Sequence, residues 1–322
     1  MNLVPTTRSK LWLVTGAAGF VGRALCAEAT GRGHRVRRAL RTLNDASDSV
    51  EVGNVGPATD WQLHLIGIDV VVHLAARVHV MIEVLADPLA AFRQVNVEGT
   101  LNLARQAAAA GVQRFIFISS VKVNGEESDP AHPFAADEVP APSDPYGISK
   151  MEAENGLRLI AAETGIDVVI IRPPLVYGPG VKANFHNMMR WLDRGIPLPL
   201  GAISNRRSMV GLGNLVDMIL LCCEHPAAAN QTFMVSDGED ISTTELLQRI
   251  ARALARPARL ISIPQGLLFF CAGLVNRRAL ANRLCGYLQV DISKTQQLMG
   301  WHPPVSVNDG LQLAADEYRR LR

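Results

Sequence analysis

The stretch Leu11-Trp12-Leu13-Val14-Thr15-Gly16-Ala17-Ala18-Gly19-Phe20-Val21-Gly22 decides the reading of this chain. An apolar run of strand type meets three glycines spaced three apart, and an amphipathic helical pattern follows. Glycine permits a tight turn and lets backbone N–H groups approach a pyrophosphate at the positive end of the next helix. A glycine triplet alone is a weak signal; between a strand and a helix, at the start of a β-α-β unit, it predicts a dinucleotide site. An ordinary strand-to-helix turn accounts for one glycine but not for three. Gly16, Ala18, Gly19, Phe20, Val21 and Gly22 are therefore expected to contact a cofactor.

Outward from this turn, short β-rich runs alternate with helical patterns. Leu11 to Thr15, Arg35 to Leu40, Val70 to Leu74, Phe115 to Ser119 and Val168 to Ile171 read as strands, nearly continuous in apolar residues. Asp87-Pro88 and Asp144-Pro145 read as helix starts, an N-cap followed by proline in the first turn. The pattern predicts an α/β chain of Rossmann type, a doubly wound parallel sheet with a smaller C-terminal substrate-binding lobe. Proline and glycine loosen the pattern after Arg172, and the proline-rich stretch from Ala131 to Pro145 reads as a surface loop bounding a site. The expected organisation is a dinucleotide-binding domain over 1–180, to which the chain returns around 208–240, and a smaller lobe built from 181–207 and 241–322.

The 322 residues are 48% hydrophobic and 19% charged, the opposite of a disordered balance. Thirty-two Lys and Arg against 30 Asp and Glu leave a net charge of +2, which gives no broad field for a nucleic acid. Arg32, Arg35, Arg37, Arg38 and Arg41 cluster locally, with Val36 and Leu40 between them, and suit a strand edge facing one anionic ligand. The five cysteines are scattered and odd in number, as for free thiols in a reducing compartment. His73 and His79 lack a third ligand at useful spacing, so no metal site is expected. No export signal is visible. The late apolar run from Leu267 to Val275 is shorter than the roughly 20 residues of a bilayer span, although it suits a membrane surface. The expectation is a cytoplasmic protein with no integral membrane span.

Two further signals concern chemistry. At the end of the second strand, where a carboxylate would accept the 2′-hydroxyl of NAD, stand Leu40 and Arg41. A guanidinium there can fork onto a 2′-phosphate, which favours NADP(H), with NAD(H) as the alternative and Arg38 as a helper. Tyr146-Gly147-Ile148-Ser149-Lys150 places a phenol and an ammonium one helical turn apart on one face. The ammonium and a cationic nicotinamide ring would favour the phenolate, making Tyr146 a proton carrier for a sugar hydroxyl and Lys150 its partner.

With Ser119-Ser120 at the end of a later strand, these motifs resemble the extended short-chain dehydrogenases/reductases that modify nucleotide sugars. HLAA at His73 to Ala76, VNVEGT at Val95 to Thr100, FISS at Phe117 to Ser120 and RPPLVYGPG at Arg172 to Gly180 extend the resemblance over nearly the whole chain. It implies that Ser120 hydrogen-bonds the reacting sugar oxygen, that Tyr146 is the acid/base, and that Lys150 holds the nicotinamide ribose. It places Asn54 and Val55 beside the adenine, where the family more often begins with Asp. It makes Leu74, Ala75 and Ala76 a wall over the cofactor supported by Asn96, and sets Pro173 and Val176 against the nicotinamide. On the substrate side it implies Asn184 and Arg207, the last for a nucleotide diphosphate; Lys122, also expected against the substrate, stands where C4 epimerases of the family usually carry a small hydroxyl residue. It also implies a homodimer, for which the Ala-rich face from Leu101 to Ala110 is suited.

Dehydratases of this family carry an Asp-Glu pair after the Ser/Thr, whereas Val121 and Lys122 follow Ser120 here. The expected reaction is NADPH-dependent reduction of a UDP-linked 4-keto-6-deoxy-N-acetylhexosamine for surface polysaccharide. The alternative is a UDP-glucose or UDP-N-acetylglucosamine 4-epimerase. A non-catalytic cofactor-sensing protein is the reading of another class, opposed by the retained Tyr146 and Lys150.

Overall fold

The computed structural model describes residues 9–43, 48–78, 87–274 and 278–322. The first eight residues, His79 and Val275 lie outside them. In chain order the first half comprises β1 (Leu11–Thr15), α1 (Phe20–Gly31), β2 (Arg35–Leu40), β3 (Ser49–Glu51), α2 (Gln62–Leu65), β4 (Val70–His73), α3 (Pro88–Arg93), a π-helical turn (Gln94–Gly99), α4 (Thr100–Ala109), β5 (Arg114–Ile118) and α5 (Pro145–Thr164). Then follow β6 (Asp167–Arg172), β7 (Leu175–Tyr177), α6 (Ala183–Asp193), β8 (Met209–Gly211), α7 (Leu212–Glu224), β9 (Thr232–Met234), α8 (Thr243–Ala253), α9 (Gln265–Leu274), α10 (Arg278–Cys285), α11 (Ser293–Met299) and α12 (Val307–Arg320).

Seven strands form one sheet in the order β3-β2-β1-β4-β5-β6-β9 among the described residues. Strands β1 to β6 pair in parallel. This is the Rossmann-type doubly wound architecture, and the order reverses between β1 and β4, where such sheets open a crevice at their carboxyl ends. Side chains alternate across the sheet. Leu13, Val71, Phe115, Phe117, Val168 and Ile170 share one core with Leu103, Ala104 and Ala107 of α4 and Ala153, Leu157 and Ile160 of α5. Trp12, Val14, Val70, Val72 and Ile116 are equally buried on the other face. Burial on both faces explains why these strands read as unbroken apolar runs.

Four short strands, β3, β7, β8 and β9, have no counterpart in the sequence reading. β3 is three residues long with no buried position, and its place is set by pairing with the end of β2, Leu40 opposite Glu51. β7 and β8 form a separate two-stranded parallel sheet, Leu175 opposite Met209. Three residues are too few to display a period.

The chain resolves into two compact units: residues 1–123, 140–172 and 216–233 in the first, and 124–139, 173–215 and 234–322 in the second. After the excursion over 124–139, the chain next leaves the first unit at Arg172, where β6 ends; the expected domain boundary lay at 180. Segment 124–139 joins the second unit because its backbone bonds there: Ser128 N–H donates to the Tyr287 carbonyl at 3.1 Å and Phe134 N–H to the Gln289 carbonyl at 2.8 Å. Within that unit, Asp237 accepts from the Tyr177 hydroxyl at 2.7 Å, the Gly211 N–H at 2.8 Å and Asn214 Nδ2 at 2.6 Å, pinning β7 and β8 to one carboxylate.

In the first unit, Glu154 of α5 and Arg172 of β6 are buried together, joined by two hydrogen bonds of 2.9 and 2.6 Å. Glu154 also accepts from the Ser119 hydroxyl at 2.6 Å. Losing one member of a buried pair strands the other charge, whereas an apolar replacement of both is often neutral. Glu154→Leu should destabilise the protein by about 3–5 kcal/mol in urea unfolding, and adding Arg172→Met should recover most of that loss.

Candidate active site

A cavity of about 1650 Å³ opens at the carboxyl ends of β1 to β5 in the first unit. Its floor is the glycine turn. Gly16 has φ +65°, and a Cβ there would lie 2.8 Å from the Ala75 backbone nitrogen; one on Gly22 would lie 2.2 Å from the Gly16 carbonyl oxygen. Glycine at these two positions is therefore a condition of the turn. Gly19 caps α1 with no side-chain bond, and no acid stands in the first turn of α1. Backbone donors and the positive helix end thus face the cavity, an arrangement that accepts a phosphate.

Residues Gly16, Ala18, Gly19, Phe20, Val21, Gly22, Arg41, Asn54, Val55, Leu74, Ala75 and Ala76 all line this cavity. Its volume exceeds that of a drug-sized pocket, and the glycine cradle fits a pyridine dinucleotide. Arg41 is exposed there. Arg38, the expected helper, instead pairs with Asp48 at 3.1 Å, and Arg37 donates to the His64 and Ile66 carbonyls. The expected absence of an acid holds for β2 alone, because Glu51 at the end of β3 lines the same cavity as Arg41. No pattern in the sequence marks Glu51; only the β2–β3 register brings it there.

Asp144 and Pro145 start α5, with Asp144 Oδ1 accepting the Gly147 N–H at 2.6 Å. Tyr146 in the first turn is half-buried and lies edge-on to Phe92, 6.0 Å between centroids. One turn on, Lys150 is buried and its Nζ donates to the Ile118 carbonyl at 2.8 Å, Ile118 being part of the cavity wall. That Nζ lies 4.4 Å from the Phe117 ring centre and 6.0 Å from that of Tyr146.

The chain alone does not hold Tyr146 as a phenolate. Burial, reinforced by the Asp144 charge, pushes its hydroxyl up to about 12. Burial pulls the Lys150 ammonium down to about 7, against the charge of Glu154. The lowering of the tyrosine expected from Lys150 is thus outweighed by desolvation, and the phenol is poised to give a proton.

Asn96 joins the cavity to this helix. The π-helical turn, a feature frequent at functional sites, buries it; its Nδ2 donates to the Arg77 carbonyl and to Ser149 Oγ, both at 3.0 Å, while its Oδ1 accepts the Arg77 N–H at 2.8 Å. Ser120 follows β5, and its Oγ accepts the Lys122 N–H at 3.2 Å. The Lys122 ammonium pairs with Asp144, the same carboxylate that caps α5, a link that steadies the turn bearing Tyr146.

His73 is buried between Thr15 and Thr100, 2.7 and 2.9 Å from their hydroxyls, and burial, with the Lys150 charge adding, lowers it to about 3. It is a neutral structural imidazole. Among the described residues no group of side chains has the makings of a metal site.

Pro173, Val176, Asn184 and Arg207 belong to the second unit. Pro173 is buried, Val176 lies in β7 and Asn184 is exposed in the first turn of α6. Arg207 is half-buried, its Nη1 donating to the Gly286 carbonyl at 2.9 Å; burial lowers its pKa, against the charges of Glu127 and Glu126. The sequence reading missed the Glu154–Arg172 pair, since nothing in its spacing marks α5 and β6 as neighbours.

Residues 12–236 match the family described as "NAD dependent epimerase/dehydratase family". The chain is 46% identical over 310 residues, 95% of its length and 94% of the relative's, to a protein of Vibrio cholerae named UDP-glucose 4-epimerase. It is 27% identical, over 96% of its length and 97% of the relative's, to a Pseudomonas aeruginosa protein named GDP-6-deoxy-D-mannose reductase. The solved structure of a UDP-glucuronic acid 4-epimerase from Bacillus cereus with NAD superposes with a TM-score of 0.78 at 22% identity, covering 97% of each chain. The chain belongs to the NAD-dependent epimerase/dehydratase family. It is an NAD(P)-dependent enzyme of the nucleotide-sugar epimerase and reductase type.

A buried lysine with a depressed pKa binds fewer protons folded than unfolded. Its cost is full below about 7 and fades as pH rises towards the ordinary lysine value of 10.5. Lys150→Met should therefore raise the melting temperature of the cofactor-free protein near neutral pH. In calorimetry that gain should shrink at alkaline pH, while turnover is lost.

Proposed function

We propose that this enzyme moves a hydride at C4 of a UDP-linked sugar, with Tyr146 exchanging the proton of the C4 oxygen. The observation that carries this reading is one helical start, capped by Asp144, that sets Tyr146 and Lys150 one turn apart beside the cavity wall at Ile118. Bound NAD(P)(H) supplies or takes the hydride. Tyr146, held protonated, donates to the oxygen as carbonyl becomes alcohol and recovers the proton in reverse. Ser120 orients that oxygen, and Lys150 fixes the ribose and the electrostatics of the phenol. Pro173 and Val176 pack the nicotinamide side, while Lys122, Asn184 and Arg207 serve the sugar nucleotide, Arg207 meeting its diphosphate.

Two reactions use these residues. Net reduction of a UDP-4-keto-6-deoxy-N-acetylhexosamine is supported by Arg41, which lines the cavity and carries a guanidinium able to fork onto a 2′-phosphate of NADPH. Epimerisation at C4 of UDP-glucose or UDP-N-acetylglucosamine is the second reading, favoured by the 46% identical relative and by Glu51, a carboxylate able to accept the 2′-hydroxyl of NAD. Under either reading the enzyme works as a homodimer through the outer face of α4, which light scattering tests.

Incubation with UDP-N-acetylglucosamine separates the two. Interconversion without added reductant is the epimerase result; NADPH consumption only with a 4-keto sugar is the reductase result. Tyr146→Phe should retain cofactor binding and lose about 100- to 10,000-fold in turnover, and an unchanged rate would end the proposal. Under the reductase reading, Arg41→Ser should weaken NADPH far more than NADH in a fluorescence titration. Glu51→Gln should instead weaken NADH.

A further inference from the structure

Helix α9 carries the sequence Gln265-Gly266-Leu267-Leu268-Phe269-Phe270-Cys271-Ala272-Gly273-Leu274, and none of its residues is buried. Leu267, Phe270 and Leu274, spaced three and four apart, form one stripe that is 50, 64 and 73% exposed. Ile261 and Leu280, just outside the helix, are 51 and 52% exposed. A helix of a globular protein turns such a stripe to the core; this one turns it to solvent. Contiguous exposed apolar surface marks a docking face.

The surrounding charge names the partner. From Leu246 to Val290 the sequence holds seven arginines and no aspartate or glutamate. Arg249 and Arg256 are tied to acids elsewhere, Glu239, Glu245 and Asp193. Arg252, Arg259, Arg278 and Arg283 are exposed. The Arg278 guanidinium lies over α9 itself, with its Nε 3.1 Å from where a Cβ of Gly273 would sit.

We infer that α9 lies in the interface of an anionic lipid bilayer, with Leu267, Phe270 and Leu274 among the acyl chains and the flanking arginines at the headgroups. Ten helical residues span about 15 Å, too short to cross a bilayer but sufficient to lie in its surface. None of the helices among the described residues is long and apolar enough to cross. A second copy of the chain is the poorer occupant, because a two-fold contact sets each patch against itself and brings arginines onto arginines. The assignment rests on α9 and its surroundings and is independent of which sugar the enzyme uses.

The test is flotation of the full-length protein with vesicles of phosphatidylcholine alone and of phosphatidylcholine mixed with phosphatidylglycerol. The protein should float with the mixed vesicles and be released by salt. Phe270→Glu with Leu274→Glu should weaken binding about tenfold or more. Arg278→Ala and Arg283→Ala should each weaken it roughly fivefold. All four changes are at exposed positions and should leave the melting temperature and turnover of a soluble UDP-sugar unchanged. Failure to float with the anionic vesicles overturns the assignment, as does equal flotation of the Phe270→Glu, Leu274→Glu variant. Light scattering then shows whether that variant has instead split a dimer, the outcome expected if a second copy covers α9.

Discussion

The buried Lys150 ammonium, donating to the Ile118 carbonyl, is the contact on which the site depends. It ties the first turns of α5 to the end of β5, so the helix carrying Tyr146 is fixed to the strand that forms the cavity wall. Burial makes this lysine costly and pulls its pKa to about 7. An enzyme keeps such a group where its charge is needed for function and supports it elsewhere. The support is local: Phe117 under the ammonium, the Glu154 carboxylate one turn further along α5, and Arg172 balancing Glu154.

The same constraint explains the state of Tyr146. Desolvation raises its hydroxyl beyond an ordinary phenol, and Asp144 adds to the rise while capping the helix. One carboxylate therefore starts α5, pairs with Lys122 and adds to the rise that burial gives the Tyr146 phenol. A positive charge beside the phenol would favour its ionised form against this desolvation.

Much of this was legible in the sequence because the informative residues are close in the chain. The turn from Thr15 to Gly22 and the Tyr146-to-Lys150 spacing each encode their geometry within a few residues, and strands buried on both faces announce themselves as apolar runs. What escaped depends on register or on distance. Glu51 reaches the cavity only because β3 pairs with the end of β2, and Glu154 meets Arg172 only because α5 packs beside β6. The stretch from Ala131 to Pro145 read only as a surface loop bounding a site, and no local pattern showed that the backbone of 124–139 hydrogen-bonds to 287 and 289. The raised pKa of Tyr146 was missed because spacing shows the neighbouring charge but not the desolvation that outweighs it.

Hydride chemistry at C4 is tested most directly by turnover in deuterium oxide followed by mass spectrometry of the sugar product. A hydrogen carried as hydride through the nicotinamide never mixes with solvent, whereas the proton proposed for Tyr146 does. Hydride transfer leaves no carbon-bound deuterium at C4, in the reductive and the epimerising reaction alike. Deuterium incorporated at C4 would show that this carbon is protonated from water and would contradict that transfer.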